Sequence, residues 1–159
     1  MENKEIYKIL ENVLDPEVPV LTILDLGIVR DVILRGSEIE VVITPTYSGC
    51  PAMNMIAMNI RIELAAHGFK NIVIKEVLKP AWTTDWMSAE GKRKLKAYGI
   101  APPQYRVADS GLWLENRTIP CPLCDSENTE MLSEFGSTSC KSLYRCKDCL
   151  EPFDYFKCH

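Results

Sequence analysis

The stretch Ile28-Val-Arg-Asp-Val-Ile-Leu-Arg-Gly-Ser-Glu-Ile-Glu-Val-Val-Ile-Thr-Pro-Thr-Tyr-Ser-Gly-Cys-Pro-Ala-Met-Asn-Met-Ile-Ala-Met-Asn-Ile-Arg-Ile-Glu-Leu64 decides the fold of this chain. Its first half holds two β-branched runs, Ile28–Leu34 and Ile39–Ile43, separated by Arg35-Gly36-Ser37, and this pattern predicts two strands joined by a tight turn. After Gly49-Cys50-Pro51 the period changes. Met53, Ile56, Ala57, Ile60 and Leu64 share one helical face as far as His67-Gly68, where glycine suits a helix C-cap. Working outward, Ile6, Ile9, Leu10, Val13 and Leu14 predict an amphipathic helix over Glu5–Leu14 that Asp15-Pro16 stops. Asn71 to Leu78 predicts a further strand. The sum is α+β, a helix-hairpin-helix-strand unit with two helices over one face of a small sheet.

Beyond it, Lys79–Pro103 carries Trp82, Trp86, a short charged helix around Glu90–Ala97 and the stop signal Gly99-Ile-Ala-Pro-Pro103. Composition switches to cysteine, serine and aromatics at Ile119. The expected organisation is therefore residues 1–105 as the first domain with its extension, 106–118 as a linker, and 119–159 as a small second module.

The 159 residues are 47% hydrophobic and 25% charged, with a net charge of −4. That leaves no basic excess for a phosphate backbone, and the aromatics of the acidic tail lack a basic surround, so nucleic acid is disfavoured. No apolar run approaches the roughly 18 residues of a membrane span, and the N-terminal residues lack the pattern of a signal peptide. The expectation is a cytoplasmic protein without a membrane partner.

Six of the seven cysteines lie in the last forty residues. In a reducing compartment such clustering favours metal or redox chemistry over structural disulfides. Cys121-Pro-Leu-Cys124 and Cys146-Lys-Asp-Cys149 are two knuckles separated by 21 residues. Each puts two thiolates on one turn, and two facing turns make a tetrahedral four-sulfur cage suited to zinc, or to iron of the rubredoxin type. A module of this size cannot build an adequate apolar core, so metal would supply most of its folding free energy. The competing reading is a redox dithiol pair or unligated thiols. Cys140, Cys158 and His159 remain over; they either pack or contribute ligands to a second site, such as an iron-sulfur cluster.

Cys50 stands apart. Pro51 suits a first helical position, so the thiol falls at or near the N-cap, where unpaired N–H groups and the helix dipole favour a thiolate. The competing reading is a cysteine packed as a small hydrophobe. Asp15 and Glu17 flank Pro16 and serve equally well as turn formers or as carboxylates near that thiol. His67 reads as a helix-end residue, no general base marks a Cys/His hydrolase, and no dinucleotide, phosphate-loop or HExxH pattern occurs.

Read together, Asp15-Pro-Glu17, Thr44-Pro-Thr-Tyr-Ser-Gly-Cys-Pro-Ala52, Lys79-Pro-Ala-Trp-Thr-Thr-Asp-Trp-Met-Ser88, the Gly99 stop signal, the first knuckle, Phe135-Gly-Ser-Thr-Ser-Cys-Lys-Ser-Leu-Tyr-Arg-Cys146 and Glu151-Pro-Phe-Asp-Tyr-Phe-Lys-Cys-His159 resemble the phenylacetate-degradation protein D (PaaD) family. The match runs nearly end to end. The N-terminal part resembles the iron-sulfur cluster assembly (FSCA-like) domain, marked by the Asp-Pro-Glu and Gly-Cys-Pro segments, and the C-terminal part resembles a zinc ribbon. The resemblance implies association with the multicomponent oxygenase that epoxidises the ring of phenylacetyl-CoA, and with iron-sulfur assembly machinery. The chain has no Glu-x-x-His pair for a di-iron site, no flavin or nicotinamide fingerprint and no plant-type ferredoxin cysteine series. An accessory that helps to load iron or a cluster is therefore the expected role, and a non-catalytic scaffold of the oxygenase complex the alternative. On the family pattern Cys50 would be a transient ligand in a pocket shaped by Asp15, Glu17 and Thr46, while Cys121, Cys124, Cys146 and Cys149 hold a permanent zinc.

Overall fold

The computed structural model describes residues 3–104 and 118–157. Its packing divides the chain into two compact units, Met1–Trp82 with Trp86–Ser88, and Thr83–Asp85 with Ala89–His159.

In the first unit, helix α1 (Asn3–Leu10) buries Ile6 and Leu10 and leaves its charged residues to solvent. The loop that follows is no mere connector. Val13, Val18, Leu21, Ile23, Leu26 and Ile28 are all buried, so this proline-bearing segment adds a wall to the core. Backbone bonds hold it in place, with the Asp15 N–H on the Leu21 carbonyl at 2.9 Å and the Ile23 N–H on the Val13 carbonyl at 3.0 Å. These bonds answer the requirement that buried backbone polar groups be paired.

Strands β1 (Val29–Arg35) and β2 (Glu38–Ile43) form the expected hairpin. Gly36 at φ 62° supplies the positive φ that such a short turn requires. Helix α2 (Ala52–Ala66) then carries the chain to β3 (Asn71–Glu76), which pairs with β2 in parallel, so the helix is the crossover that parallel strands need. The sheet order is β1-β2-β3. Ile39, Val41 and Ile43 of the central strand are buried, as are Met53, Ile56, Ile60 and Leu64 of α2. That period of two against a period of three to four is what the sequence displays.

The segment after β3 is strapped to the loop before β1. The Trp82 indole N–H donates to the Leu26 carbonyl at 2.7 Å, and the Ser88 hydroxyl donates to the Asp25 carboxylate at 2.8 Å. Gly27, at φ 71°, lies against Trp86, where a Cβ would come within 2.5 Å of the Trp86 carbonyl oxygen. A register shift between Val29 and Asp31 makes Arg30 the extra residue of a β-bulge. Bulges re-aim side chains, and the Arg30 guanidinium stands 3.6 Å from the centroid of the Trp86 ring.

In the second unit, α3 (Ala89–Ala97) leads into β4 (Ile100–Ala101), and β5 (Thr129–Ser133), β6 (Lys141–Cys146) and β7 (Pro152–Phe156) follow. The order is β4-β7-β6-β5, with β4 parallel to β7 and the remaining pairs antiparallel. Residues 89–101, expected as an extension of the first domain, therefore pack with the second unit. The reason is long-range pairing of Ile100 with Asp154 and Ala101 with Tyr155, which local periodicity does not reveal. Apart from Thr118, the expected linker 106–118 lies outside the described residues. Among the described residues no helix is long and apolar enough to cross a membrane.

Candidate functional site

Two turns of the second unit repeat one local structure. In each, a Cys-x-x-Cys turn is followed by a residue at positive φ, Asp125 at 59° and Leu150 at 66°. In each, the first cysteine's N–H returns to the carbonyl five residues on, Cys121 to Ser126 at 2.9 Å and Cys146 to Glu151 at 3.0 Å. The Cys149 N–H also points at the Cys146 sulfur, 3.5 Å away. The hairpin of β5 and β6 pairs Thr129 with Cys146 and so brings the second knuckle to the first.

The result is a four-sulfur cluster. The sulfurs of Cys121, Cys124, Cys146 and Cys149 all lie within 4.8 Å of one another. Cys121 and Cys149 are 3.8 Å apart, and Cys124 and Cys146 are 3.6 Å apart. Zinc–sulfur bonds of about 2.3 Å set tetrahedral sulfurs about 3.8 Å from one another, which these two separations match. Cys121 and Cys146 are fully buried and belong to the small core with Ala101, Ile119 and Phe153, against which Tyr144 and Tyr155 pack.

The thiols are electrostatically unequal. The Ser126 N–H would lower the Cys124 thiol, but desolvation and hydrogen bonds with the Cys146, Cys121 and Cys149 sulfurs push it up to about 12. The Cys149 N–H, assisted by Asp148 and the neighbouring sulfurs, outweighs desolvation and brings Cys146 down to about 7. One thiolate forms readily and its negative charge resists the next. A cation in the cage removes that conflict, and its binding expels the remaining protons.

A polar latch joins the knuckles on their outer side. The Ser126 hydroxyl and the Asn128 side-chain amide both donate to the Asp148 carboxylate, the latter at 2.9 Å. Those bonds, Ser126 first, hold the Asp148 carboxyl below its ordinary range. The Lys147 N–H adds a bond to the Asn128 carbonyl at 2.8 Å. Sequence reasoning missed this latch, since its signal is only a scatter of polar residues beside the cysteines.

Cys140 is buried outside the cage, on the loop before β6, with its sulfur 3.0 Å from the Thr138 hydroxyl. Cys158 and His159, the other candidate extra ligands, lie outside the described residues.

In the first unit, Cys50 sits at the mouth of α2. The helix is assigned from Ala52, but Pro51 already has helical dihedrals (φ −68°, ψ −21°), and the Cys50 carbonyl accepts the Met53 N–H at 3.3 Å. The structure brings Thr46 to this thiol, its hydroxyl 4.0 Å from the sulfur, and leaves the thiol half-buried. Asp15 is buried, and one of its carboxylate oxygens accepts the N–H groups of Glu17 and Val18 at 2.9 and 2.7 Å. That is an Asx turn shaping the Asp-Pro-Glu loop.

Fold and site together define an iron-sulfur-assembly type α+β domain followed by a four-cysteine metal-binding ribbon. Family models agree with both parts: residues 3–69 match the iron-sulfur cluster assembly protein model, and residues 108–157 match the PaaD zinc beta ribbon domain. Over 154 residues, 97% of this chain and 92% of the relative, it is 49% identical to an Escherichia coli (strain K12) protein named as a component of 1,2-phenylacetyl-CoA epoxidase. It is 32% identical over 94 residues to a Porphyromonas gingivalis (strain ATCC BAA-308 / W83) Fe-S protein maturation auxiliary factor, covering 58% of this chain and 89% of that one. A crystal structure of a Bacillus anthracis domain of unknown function, DUF59, superposes with a TM-score of 0.55 at 29% identity, over 58% of this chain and 89% of that chain. The chain belongs to the PaaD family.

Proposed function

We propose that this protein is a non-catalytic accessory of the phenylacetyl-CoA ring-epoxidising oxygenase, acting in the cytoplasm to help deliver iron or an iron-sulfur cluster during phenylacetate catabolism. The observation that carries the reading is the pairing of two unlike thiol environments on one chain. The four-sulfur cage offers a complete ligand set, with Cys121 and Cys146 in the core and Cys124 and Cys149 toward solvent, and suits a metal that stays. Zinc is the proposed resident, from the ribbon family. Cys50 is a half-buried thiol at a helix mouth, and suits a ligand that binds and lets go. The names of the two relatives, one an epoxidase component and the other a maturation factor, are in keeping with that division.

In this reading cargo iron or cluster is held transiently by the Cys50 sulfur. The Thr46 hydroxyl is its neighbour, Asp15 shapes its own loop by accepting the Glu17 N–H, and on this proposal the loop lends Asp15 and Glu17 to the same pocket. The partners are oxygenase subunits and the machinery that supplies iron-sulfur clusters. The test is a Cys50→Ala variant expressed with the oxygenase. It should fold, keep its zinc and leave the oxygenase short of iron and inactive. Full oxygenase activity with Cys50→Ala would defeat the transfer role, and stable stoichiometric co-purification with a normally metallated oxygenase would favour a scaffold.

A further inference from the structure

The two edges of the first sheet are treated differently. At β1 the Asp31 carboxylate accepts the Val32 N–H at 2.8 Å and the Asn3 amide donates to the Val32 carbonyl at 3.1 Å, beside the bulge at Arg30. Side-chain caps and bulges are how proteins blunt an exposed edge. β3 has neither a bulge nor a proline. It runs in unbroken register with β2 from Asn71 to Glu76, and its other edge pairs with nothing among the described residues. Helix α2 beside it carries a second unmet surface. Met55, Met58 and Ile62, at helical spacing, are 53%, 60% and 59% exposed. An open groove runs between helix and edge, lined by Met58 and Arg61 of α2 and by Ile74 and Glu76 of β3, and continues past Lys70 and Ile72.

The sequence of that edge, Lys70-Asn-Ile-Val-Ile-Lys-Glu76, is self-complementary. In an antiparallel pair about a two-fold axis, opposed residues share a face, so registers move in steps of two. Centred on Val73, the register sets Val73 on Val73, Ile72 on Ile74, Asn71 on Lys75 and Lys70 on Glu76, each off-centre pair occurring twice. Centred on Ile74 it sets Ile72 against Glu76 and Val73 against Lys75. Centred on Lys75 it opposes two ammonium groups. Only the first register matches apolar with apolar and positive with negative, the pairings that stabilise a sheet.

We infer that a second copy of this chain docks on β3, Val73 against Val73, joining two three-stranded sheets into one of six strands with the two α2 helices flanking the seam. The two Met58 and Ile62 stripes then border a common groove, and an isologous contact closes at two copies.

The test is the mass of the full chain under reducing conditions, by sedimentation or light scattering across a concentration series. The wild type should reach twice the 18.0 kDa chain mass. Val73→Lys places two like charges on the axis at a side chain 39% exposed in the single chain, and should leave a folded monomer. Lys70→Glu and Glu76→Lys each oppose like charges twice and should weaken self-association about tenfold. Mixed in equal amounts, these two variants pair opposite charges at both positions and should recover wild-type dimerisation. A wild type that is monomeric at about 100 µM overturns the proposal, even if another protein's strand is found to fill the edge. A dimer indifferent to Val73→Lys, or a mixture that associates no better than its components, overturns it as well.

Discussion

Replacing Gly27 by alanine should destabilise the first unit by about 3 kcal/mol, a figure built from two separable effects. The first is conformational: φ is 71° at Gly27, and an L-residue held there loses roughly 1–2 kcal/mol. The second is steric. The new methyl would stand 2.5 Å from the Trp86 carbonyl oxygen and 2.8 Å from its Cβ, against backbone that must move as a body. That movement pulls on the Trp82 bond to Leu26 and the Ser88 bond to Asp25, and weakening these two bonds together adds about 1–2 kcal/mol. Urea unfolding followed by the fluorescence of Trp82 and Trp86, in a Trp113→Phe background, reads the sum; in a thermal scan it corresponds to roughly 15 °C. Gly36→Ala is the control, since φ there is 62° and the added methyl meets nothing within 4 Å. It should cost only the conformational part. If the two alanine variants lost equal stability, the close approach of the strap to Gly27 would have no energetic meaning and the reasoning would fail.

Cys146→Ser should abolish stoichiometric metal and unfold the second unit, because that sulfur is both ligand and core; metal analysis with hydrogen exchange would show the first unit still protected, and retention of one metal per chain would contradict the cage. Leu150→Gly should stabilise the metal-bound chain by about 1 kcal/mol, since the leucine is exposed and sits at φ 66°; a lower unfolding midpoint would show that its side chain matters more than its backbone.

What could be read from the sequence was what is local. The hairpin and both helices of the first unit announce themselves by period, although α1 ends at Leu10 rather than running on to Leu14, and the knuckles announce themselves by a ligand spacing that allows little else. The loop from Asp15 to Ile28 reads as a connector because prolines interrupt any period, yet Val18, Leu21 and Ile23 are as buried as any strand residue. On α2 the spacing identifies the buried face but not the second apolar stripe at Met55, Met58 and Ile62, since a helix apolar on two sides has no clear amphipathic phase. The assignment of Ile100 and Ala101 to the second unit depends on strand pairing more than fifty residues away, and the Asp148 latch on hydrogen bonds across the hairpin. Such features arise from closure of the chain, and no window of sequence contains them. At Cys50 the position before Pro51 was legible and the neighbouring Thr46 was supplied by the family pattern.

Because Cys121 and Cys146 serve the core as well as the cage, a second unit that needs its metal to close would make metal supply a determinant of protein lifetime. With the proposed zinc scarce, newly made chains would hold an unfinished second unit, and unfinished units are what proteases open and degrade. The abundance of the protein would then follow the zinc status of the cell with no dedicated sensor, through turnover alone. Chains that persist would be those already charged with metal.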